Sequence, residues 1–402
     1  MTQFIRLDKF AEVGAGNSAP QNEELFKGGS LPFVRTSDVG AIHIGSIDTS
    51  RDLLTLEGAK GLKLHSSGTI LFPKSGASTF LNHRVVLGKP AYVSSHLATI
   101  KANNDLGLDR YLFYFLQTID ARDLCQDQAY PSLNRDQIAG IEVPLPSLEK
   151  QREIVEKLDS AFAEIDSLEE NLTLGEEKAD QLLQSLLNDS FSADNINSSP
   201  LQEQSIDEIC EVGDGNHSSK YPTKNEMIST GVPFIRAQNI VNGTVDDTDI
   251  LYISPQKHES LRKGHLRTGD ILITNRGEIG KLAIVPLEFD GSNLNSQIAW
   301  LRCKKEVSNS YLYYFLKSGS ARRIFDSGTS GSALQQLTIS KLKEIKVPIV
   351  SQSEQKAIVK TLNSAFAEIE SLRGQLKIEK SLAITLRQSL LSSAFTQEEA
   401  VA

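Results

Sequence analysis

Few residues in this sequence can build a covalent or metal-held framework: there are 3 cysteines, 7 histidines and 2 methionines in 402 residues. Cys125, Cys210 and Cys303 are far apart with no paired spacing, and no two histidines fall at a ligand-like interval. A disulfide scaffold and a structural zinc site are therefore not expected. No stretch approaches the run of about 18 apolar residues that a membrane span needs, and the opening MTQFIRLDKF lacks the basic-then-apolar layout of a secretory leader. The expectation is a cytoplasmic chain without membrane contact. Strong positive charge is also missing. The formal net charge is -9, so the chain as a whole is a poor electrostatic match for a polyanion.

What the sequence does contain is itself, twice. SAFAEIDSL at residues 160–168 returns as SAFAEIESL at 364–372, and the match extends without a gap from Leu133–Phe191 to Leu337–Phe395, with 25 of 59 positions identical. The period is 204 residues, far beyond the roughly 20 to 50 residues of a solenoid unit. Upstream the likeness weakens but persists: LPFVRTSDV (31–39) pairs with VPFIRAQNI (232–240), SGTILF (67–72) with TGDILI (268–273), and RYLFYFLQT with SYLYYFLKS. Each half is a variable part followed by a near-constant part, and the chain exceeds what one hydrophobic core serves.

The constant part reads as a long helix. Leu158, Ala161, Ile165, Leu168, Leu172, Gly175, Ala179, Leu182 and Leu186 follow each other at steps of three and four, the spacing of a coiled-coil seam. The second copy repeats it through Leu362, Ala365, Ile369, Leu372, Leu376, Glu379, Ala383, Leu386 and Leu390, and only the Gly175/Glu379 position interrupts it. Pro144 and Pro146 bar an earlier start, and Ser351 with Glu354 has capping-box spacing, so helices are expected from about 148 and 352. A helix of about 40 residues runs roughly 60 Å, longer than a domain of about 150 residues. Its seam needs a partner of equal length, and its twin is the one available, antiparallel. Val155, Phe162, Val359 and Phe366 widen the apolar face beyond a two-stranded seam, which predicts further helices docking from outside.

The variable parts hold short alternating segments such as GTILF, RVVLG, DILIT and KLAIV, punctuated by Gly, Asn and Ser, with one helical stretch near YLFYFL. That pattern fits mixed sheet domains. The aligned loops PKSGAST (73–79) and TNRGEIGK (274–281) combine glycine with a basic residue. Such loops can bring backbone N–H groups and a cation to a phosphate, and they also serve as plain turns. Charge is unevenly divided: residues 149–191 hold 4 Lys+Arg against 12 Asp+Glu, whereas 1–148 hold 14 against 15, 192–353 hold 18 against 18, and 354–402 hold 6 against 6. The first long helix thus carries most of the negative charge. The clusters LRKGHLR (261–267), ARR (321–323) and KLKEIK (341–346) can face phosphates or simply solvent.

This arrangement, with VPLPSLEKQREIVEKL (143–158) and VPIVSQSEQKAIVKTL (347–362) each leading a long helix after a variable domain, resembles the specificity subunit of type I restriction-modification systems. PFIRAQNI, TGDILITNRGEIGKLAIV and the loops QAYPSLNRDQI and SGTSGSALQQL add to the likeness, which covers the chain nearly end to end. Two departures stand at the helix starts: Lys150 where the family favours Glu before Gln151, and Val350 where proline is usual.

The resemblance implies an α+β chain with an internal pseudo-two-fold repeat, in which two mixed α/β target-recognition domains are separated by a long antiparallel two-helix coiled coil. The expected boundaries are 1–147 and 192–350 for the recognition domains, 148–191 and 351–395 for the conserved helical regions, and 396–402 for a tail. Each recognition domain would read one half of a bipartite site in double-stranded DNA. The helices would dock two methyltransferase subunits through Ile154, Val155, Leu158, Phe162, Ile165, Leu168, Ile358, Val359, Leu362, Phe366, Ile369 and Leu372, and through them restriction and translocase subunits. No cofactor or metal is expected in this chain. S-adenosylmethionine would belong to the methyltransferase, and ATP with Mg to the restriction subunit. Candidate DNA contacts, chosen for polarity in loops, are Lys74, Ser75, Arg84, Tyr130, Asn216, His217, Lys220, Arg276, Lys281 and Ser330.

Two rival readings are a coiled-coil adaptor bridging two proteins without DNA and a standalone DNA-modifying enzyme. Against the enzyme, the sequence has no Asn/Asp-Pro-Pro-aromatic tetrapeptide, no G-x-x-x-x-G-K-[ST] and no nuclease carboxylate set, and EVGAG (12–16) is too slight for a cofactor loop. A non-catalytic role is expected.

Overall fold

A computed structural model of the chain describes residues 3–75, 77–125, 132–192, 202–216, 221–327 and 336–400. Four helices organise it: α1 (Asp109–Gln117), α2 (Leu148–Ser190), α3 (Asn309–Lys317) and α4 (Gln352–Ala400). The two long helices begin where the prolines and capping residues place them. At the start of α2, Ser147 Oγ accepts from the Lys150 N–H at 3.3 Å. At the start of α4, Ser351 Oγ accepts from the Glu354 N–H at 3.3 Å while Glu354 accepts the Ser351 N–H at 3.0 Å, a reciprocal cap. Helix α4 continues past Phe395 to Ala400, so the tail expected from residue 396 is helical through Ala400.

The chain divides into two compact units, and the division cuts both long helices. The first comprises Met1–Leu172 and Ile378–Ala402; the second is Thr173–Lys377. In the first, β1 (Ala11–Ala15), β2 (Ile70–Pro73) and β3 (Leu97–Ala102) are an antiparallel part of a five-stranded sheet ordered β1, β3, β2, Arg84–Leu87, Ile44–Ile47. A second sheet is ordered Asp52–Leu54, Leu31–Val34, Ala91–Val93, Leu64–His65. A two-stranded ribbon pairs Gln3–Arg6 with Glu142–Leu145, tying the beginning of the domain to the residues just before α2.

The second unit repeats this plan. Strands β4 (Cys210–Asp214), β5 (Ile271–Thr274) and β6 (Ile298–Cys303) lie in the order β4, β6, β5, Leu282–Ile284. The companion sheet runs Met227–Ile228, Leu251–Ile253, Val232–Ile235, Asn293–Leu294, and Gln202–Ser205 pairs with Lys346–Ile349. Both units hold a parallel strand pair at the equivalent place, Leu31–Val34 with Ala91–Val93 and Val232–Ile235 with Asn293–Leu294, and the first unit has a further one, Ile44–Ile47 with Arg84–Leu87. The alternating GTILF and DILIT segments become β2 and β5, buried at every position because both faces of the central strand are covered.

Each short helix is packed between two aromatic residues of the long ones. In the first unit Tyr114 of α1 meets Phe162 of α2 edge-on at 5.4 Å, while Tyr111 and Phe115 meet Phe395 of α4 at 5.4 and 5.5 Å. In the second, Tyr314 of α3 meets Phe366 of α4 at 5.1 Å, while Tyr311 and Phe315 meet Phe191, the residue just after α2, at 5.3 and 5.5 Å. One helix sequence therefore does two jobs: its beginning packs in one unit and its end in the other. Phe162 is therefore covered within its own unit and does not await an outside helix, whereas Phe366 is half-buried. Phe162 is 6% exposed inside the core of its own unit, and Arg387 of α4 lies over its ring at 4.5 Å.

The buried stripe also differs in phase from the one expected. Leu158, Ile165, Leu172 and Ala179 are buried, but the alternate positions are Phe162 and Leu183, with half-buried Glu169 and Glu176 between them; Leu168 and Leu182 are exposed. On α4 the alternate positions are Phe366, Arg373, Lys380 and Arg387, all half-buried, and Leu372 and Leu386 are exposed. Within the second unit the helices run antiparallel: Leu376 lies 3.5 Å from where a Cβ on Gly175 would stand, Arg373 pairs with Asp180, and Ile369 packs with Ala179 and Leu183. In the first unit Arg387 pairs with Asp166, and the residue numbers of this pair add to the same value as those of Arg373 and Asp180.

Candidate nucleic-acid interface and its helical support

The loop that follows the central strand is held in the same way in both units. In the first, the Leu133 N–H donates to the Lys74 carbonyl at 2.7 Å, and Ser75 forms an antiparallel bridge with Ser132. In the second, the Leu337 N–H donates to the Asn275 carbonyl at 3.0 Å, and Arg276 bridges Gln336. Positions 75 and 276 thus occupy equivalent places, each against the segment that leads into the constant region. The basic residue sits one position apart in the two copies, Lys74 in one and Arg276 in the other. Burial lowers the Lys74 ammonium from its ordinary value. Ser75 Oγ lies 2.9 Å from His96 Nδ1. With the Gln336 carboxamide turned oxygen-first, it accepts from Arg276 Nε at 3.2 Å and from Nη2 at 3.1 Å. That contact holds the guanidinium without neutralising it.

The other candidates separate clearly. Lys281 is half-buried and pairs with Glu278 at 2.8 Å. It lines a cleft of about 1010 Å³ within the second unit, together with Tyr313, Lys317, Arg322, Phe366 and Arg373, rather than joining Arg276. Lys317 lies 4.5 Å over the Phe366 ring, and burial lowers its ammonium while raising the Tyr313 hydroxyl to about 12. Arg84 is not a surface residue at all. It is fully buried in strand Arg84–Leu87, its guanidinium 3.4 Å over the Phe72 ring and donating to the His83 carbonyl at 2.8 Å, with burial depressing its basicity. Both faces of that strand are covered, so Arg84 is enclosed on whichever side it points, which polarity alone could not reveal. Asn216 is 5% exposed and likewise unsuited to a direct contact. Tyr130, His217, Lys220 and Ser330 lie outside the described residues.

Two repeated features escaped the sequence reading. VGAGN (13–17) and VGDGN (212–216) recur because the second glycine meets another backbone: a Cβ on Gly16 would stand 2.1 Å from the Val93 carbonyl oxygen, and one on Gly215 at 2.1 Å from that of Asn295. The second feature is a buried glutamine in the first turn of each long helix. Gln151 accepts from the Leu108 N–H at 3.0 Å and donates to the Leu106 and Pro146 carbonyls at 2.9 and 3.1 Å. Gln355 accepts from the Ser308 N–H at 2.8 Å and donates to the Glu306 and Val350 carbonyls at 3.1 and 3.0 Å. Each therefore fixes the start of α1 or α3 to the start of a long helix. Their identity in the two copies was the available signal. Because the bond to residue 146 or 350 uses only a carbonyl, Val350 serves as well as Pro146.

Of the residues expected to form a scaffold or partner surface, Ile154, Leu158, Phe162, Ile165, Leu362 and Ile369 are buried; Val155, Ile358, Val359 and Phe366 are half-buried. Leu168 and Leu372, equivalent in the two copies, are 41% and 40% exposed. Ile378, Leu382 and Leu386 on α4 are exposed too, at the four-residue interval that places them on one helix face. Among the described residues no helix is long and apolar enough to cross a membrane, and no three His, Cys, Asp or Glu side chains gather as metal ligands.

The type I restriction modification DNA specificity domain matches this chain twice, over residues 2–174 and 199–380. The StySPI specificity subunit of Salmonella potsdam is 29% identical over 167 residues, covering 40% of this chain and 35% of that protein. The EcoBI specificity subunit of Escherichia coli is 25% identical over 348 residues, covering 79% of this chain and 71% of its own length. A solved chain from a study of complex assembly and conformational transition in a type I R-M system aligns with a TM-score of 0.78 at 18% identity, covering 98% of this chain and 97% of that one.

Proposed function

We propose that this chain, which belongs to the type I restriction-modification DNA specificity family, is the non-catalytic subunit that reads DNA sequence for such a system, each of its two variable domains reading one half of a bipartite site. The observation that carries this reading is the doubled assembly of a basic or polar loop, Lys74–Ser75 and Asn275–Arg276, against the segment leading into the constant region. Two equivalent supports bearing different side chains are what independent reading of two half-sites requires. We assign residues 1–147 and 192–350 to the reading domains and 148–191 with 351–395 to the helical support.

Lys74 and Arg276 are the side chains proposed to meet DNA, Lys74 as a phosphate contact and Arg276 as a phosphate or base contact. Two methyltransferase subunits dock on the helical support, and restriction subunits join through them. Leu168 and Leu372, exposed at equivalent positions of the two copies, are the assigned docking positions. S-adenosylmethionine belongs to the methyltransferase and ATP with Mg to the restriction subunit, in the cytoplasm.

The test is DNA binding by the chain coexpressed with its methyltransferase. The complex should bind its target selectively, with affinity falling as salt rises. Arg276→Ala should weaken binding by roughly ten-fold or more while Arg84→Met leaves contacts to DNA unchanged apart from any loss of folded protein. Leu168→Glu with Leu372→Glu should lower methyltransferase copurification. A complex that assembles but binds all sequences equally would support an adaptor instead.

A further inference from the structure

Cys210 and Cys303, 93 residues apart in sequence, face each other across β4 and β6 with their sulfurs 3.8 Å apart. Both are free thiols. Antiparallel strands alternate hydrogen-bonded and non-hydrogen-bonded rungs. The Lys304 N–H donates to the Ile209 carbonyl at 2.8 Å, so residues 209 and 304 form a hydrogen-bonded rung and the next, Cys210 with Cys303, is non-hydrogen-bonded. There the strands stand about 4.5 Å apart at Cα, inside the range a disulfide spans. Closing the sulfurs from 3.8 Å to bonding distance requires about 1.8 Å of movement.

The duplication supplies an independent observation. FAEVG (10–14) aligns with ICEVG (209–213), and the equivalent rung in the first unit is Ala11 with Ala102. The Asn103 N–H donates to the Phe10 carbonyl at 3.0 Å, matching Lys304 and Ile209. At this one rung both residues differ together: alanine faces alanine in one copy, cysteine faces cysteine in the other. Between the two cysteines lie β5, most of β6 and the whole companion sheet of the second unit.

We infer that Cys210 and Cys303 form a site of reversible oxidation, closed to a disulfide by a small-molecule disulfide, that ties together the two ends of the second variable domain and has no counterpart in the first. Cys303 is half-buried and Cys210 is 3% exposed, so the incoming disulfide meets Cys303 first. With oxidised glutathione, the Cys303 sulfur attacks one glutathione sulfur, the S–S bond breaks, and one reduced glutathione leaves with the proton. The Cys210 sulfur then attacks the Cys303 sulfur, the second glutathione leaves with the second proton, and the protein disulfide remains. Two thiols are oxidised and one glutathione disulfide becomes two thiols. The Cys210 thiol is pushed up by its hydrogen bond to Cys303 and by burial, so Cys210 is not the thiol that attacks first.

The test is differential alkylation and peptide mass spectrometry of the full chain, copurified with its methyltransferase, before and after exposure to oxidised glutathione. The expected result is a Cys210–Cys303 cross-linked peptide, two hydrogens lighter than the sum of its parts and restored by a reducing agent, with Cys125 still alkylated. Cys125→Ala should leave that result unchanged, and Cys210→Ala should stop the reaction at glutathione on Cys303. The alanine pair already present at the first rung makes these variants compatible with the fold. Glutathione retained on Cys303 with Cys210 open to alkylation, a bond from either residue to Cys125, or no reaction in the folded complex would each overturn the inference.

Discussion

Gln151 and Gln355 show how much one residue can decide. Each is buried, each makes three hydrogen bonds to backbone, and each joins the first turn of a long helix to the chain entering a short one. Replacing Gln355 with alanine leaves a buried N–H and carbonyls without partners, at a cost of about 2–4 kcal/mol in unfolding free energy; urea unfolding of the complex should show it. Buried histidines add a pH effect. Burial lowers His65, and burial with His43 and Arg84 lowers His83, both from 6.5; burial and His265 lower His258 in the second unit. These side chains are neutral in the folded chain where the unfolded chain already takes up protons. Stability should therefore hold above about pH 6.5 and fall as pH drops through 6.5 toward the folded values. Thermal unfolding from pH 8 to 5.5 should show that loss, and His83→Asn should reduce its slope. A midpoint unchanged across this range would contradict the assignment.

The long helices show what sequence could and could not give at the scale of an element. Their starts were legible because prolines, caps and the repeat all agree, and β2 and β5 were legible as alternating, apolar segments. The phase of the seam was not. Ala161 precedes Phe162, and Leu182 precedes Leu183, so either series satisfies steps of three and four, while Glu169 and Glu176 argue against the series the structure adopts. In the repeat, Glu169 and Glu176 align with Arg373 and Lys380, so the charge at this seam position is reversed between the two helices. The site was less legible than the fold, because a loop residue's polarity does not tell its direction: Arg84 turned inward beside Phe72, whereas Arg276 did not. Gly175 yields a direct test of the helix pairing. A methyl group there would meet Leu376 at ordinary contact distance, 3.5 Å, with no clash. Gly175→Ala should then stabilise the chain by about 0.5–1 kcal/mol, measured by urea unfolding; a loss of stability would mean the helices pack more closely than described.

For the whole molecule, duplication is the property from which the others follow. Two units share the order of four strands in the main sheet, the ribbon, the buried glutamine and the aromatic packing, and they differ in a fifth strand present in the first unit and in the loops that follow β2 and β5. A chain built this way can change what one half reads without disturbing what supports both. Its central claim is tested most directly by exchanging residues 1–142 for the equivalent domain of a relative, coexpressing the product with the methyltransferase subunits, and sequencing the methylated bases of the host DNA. One half of the methylated motif should change while the other half stays as it was. Both halves changing, or neither, would contradict independent reading by two duplicated domains.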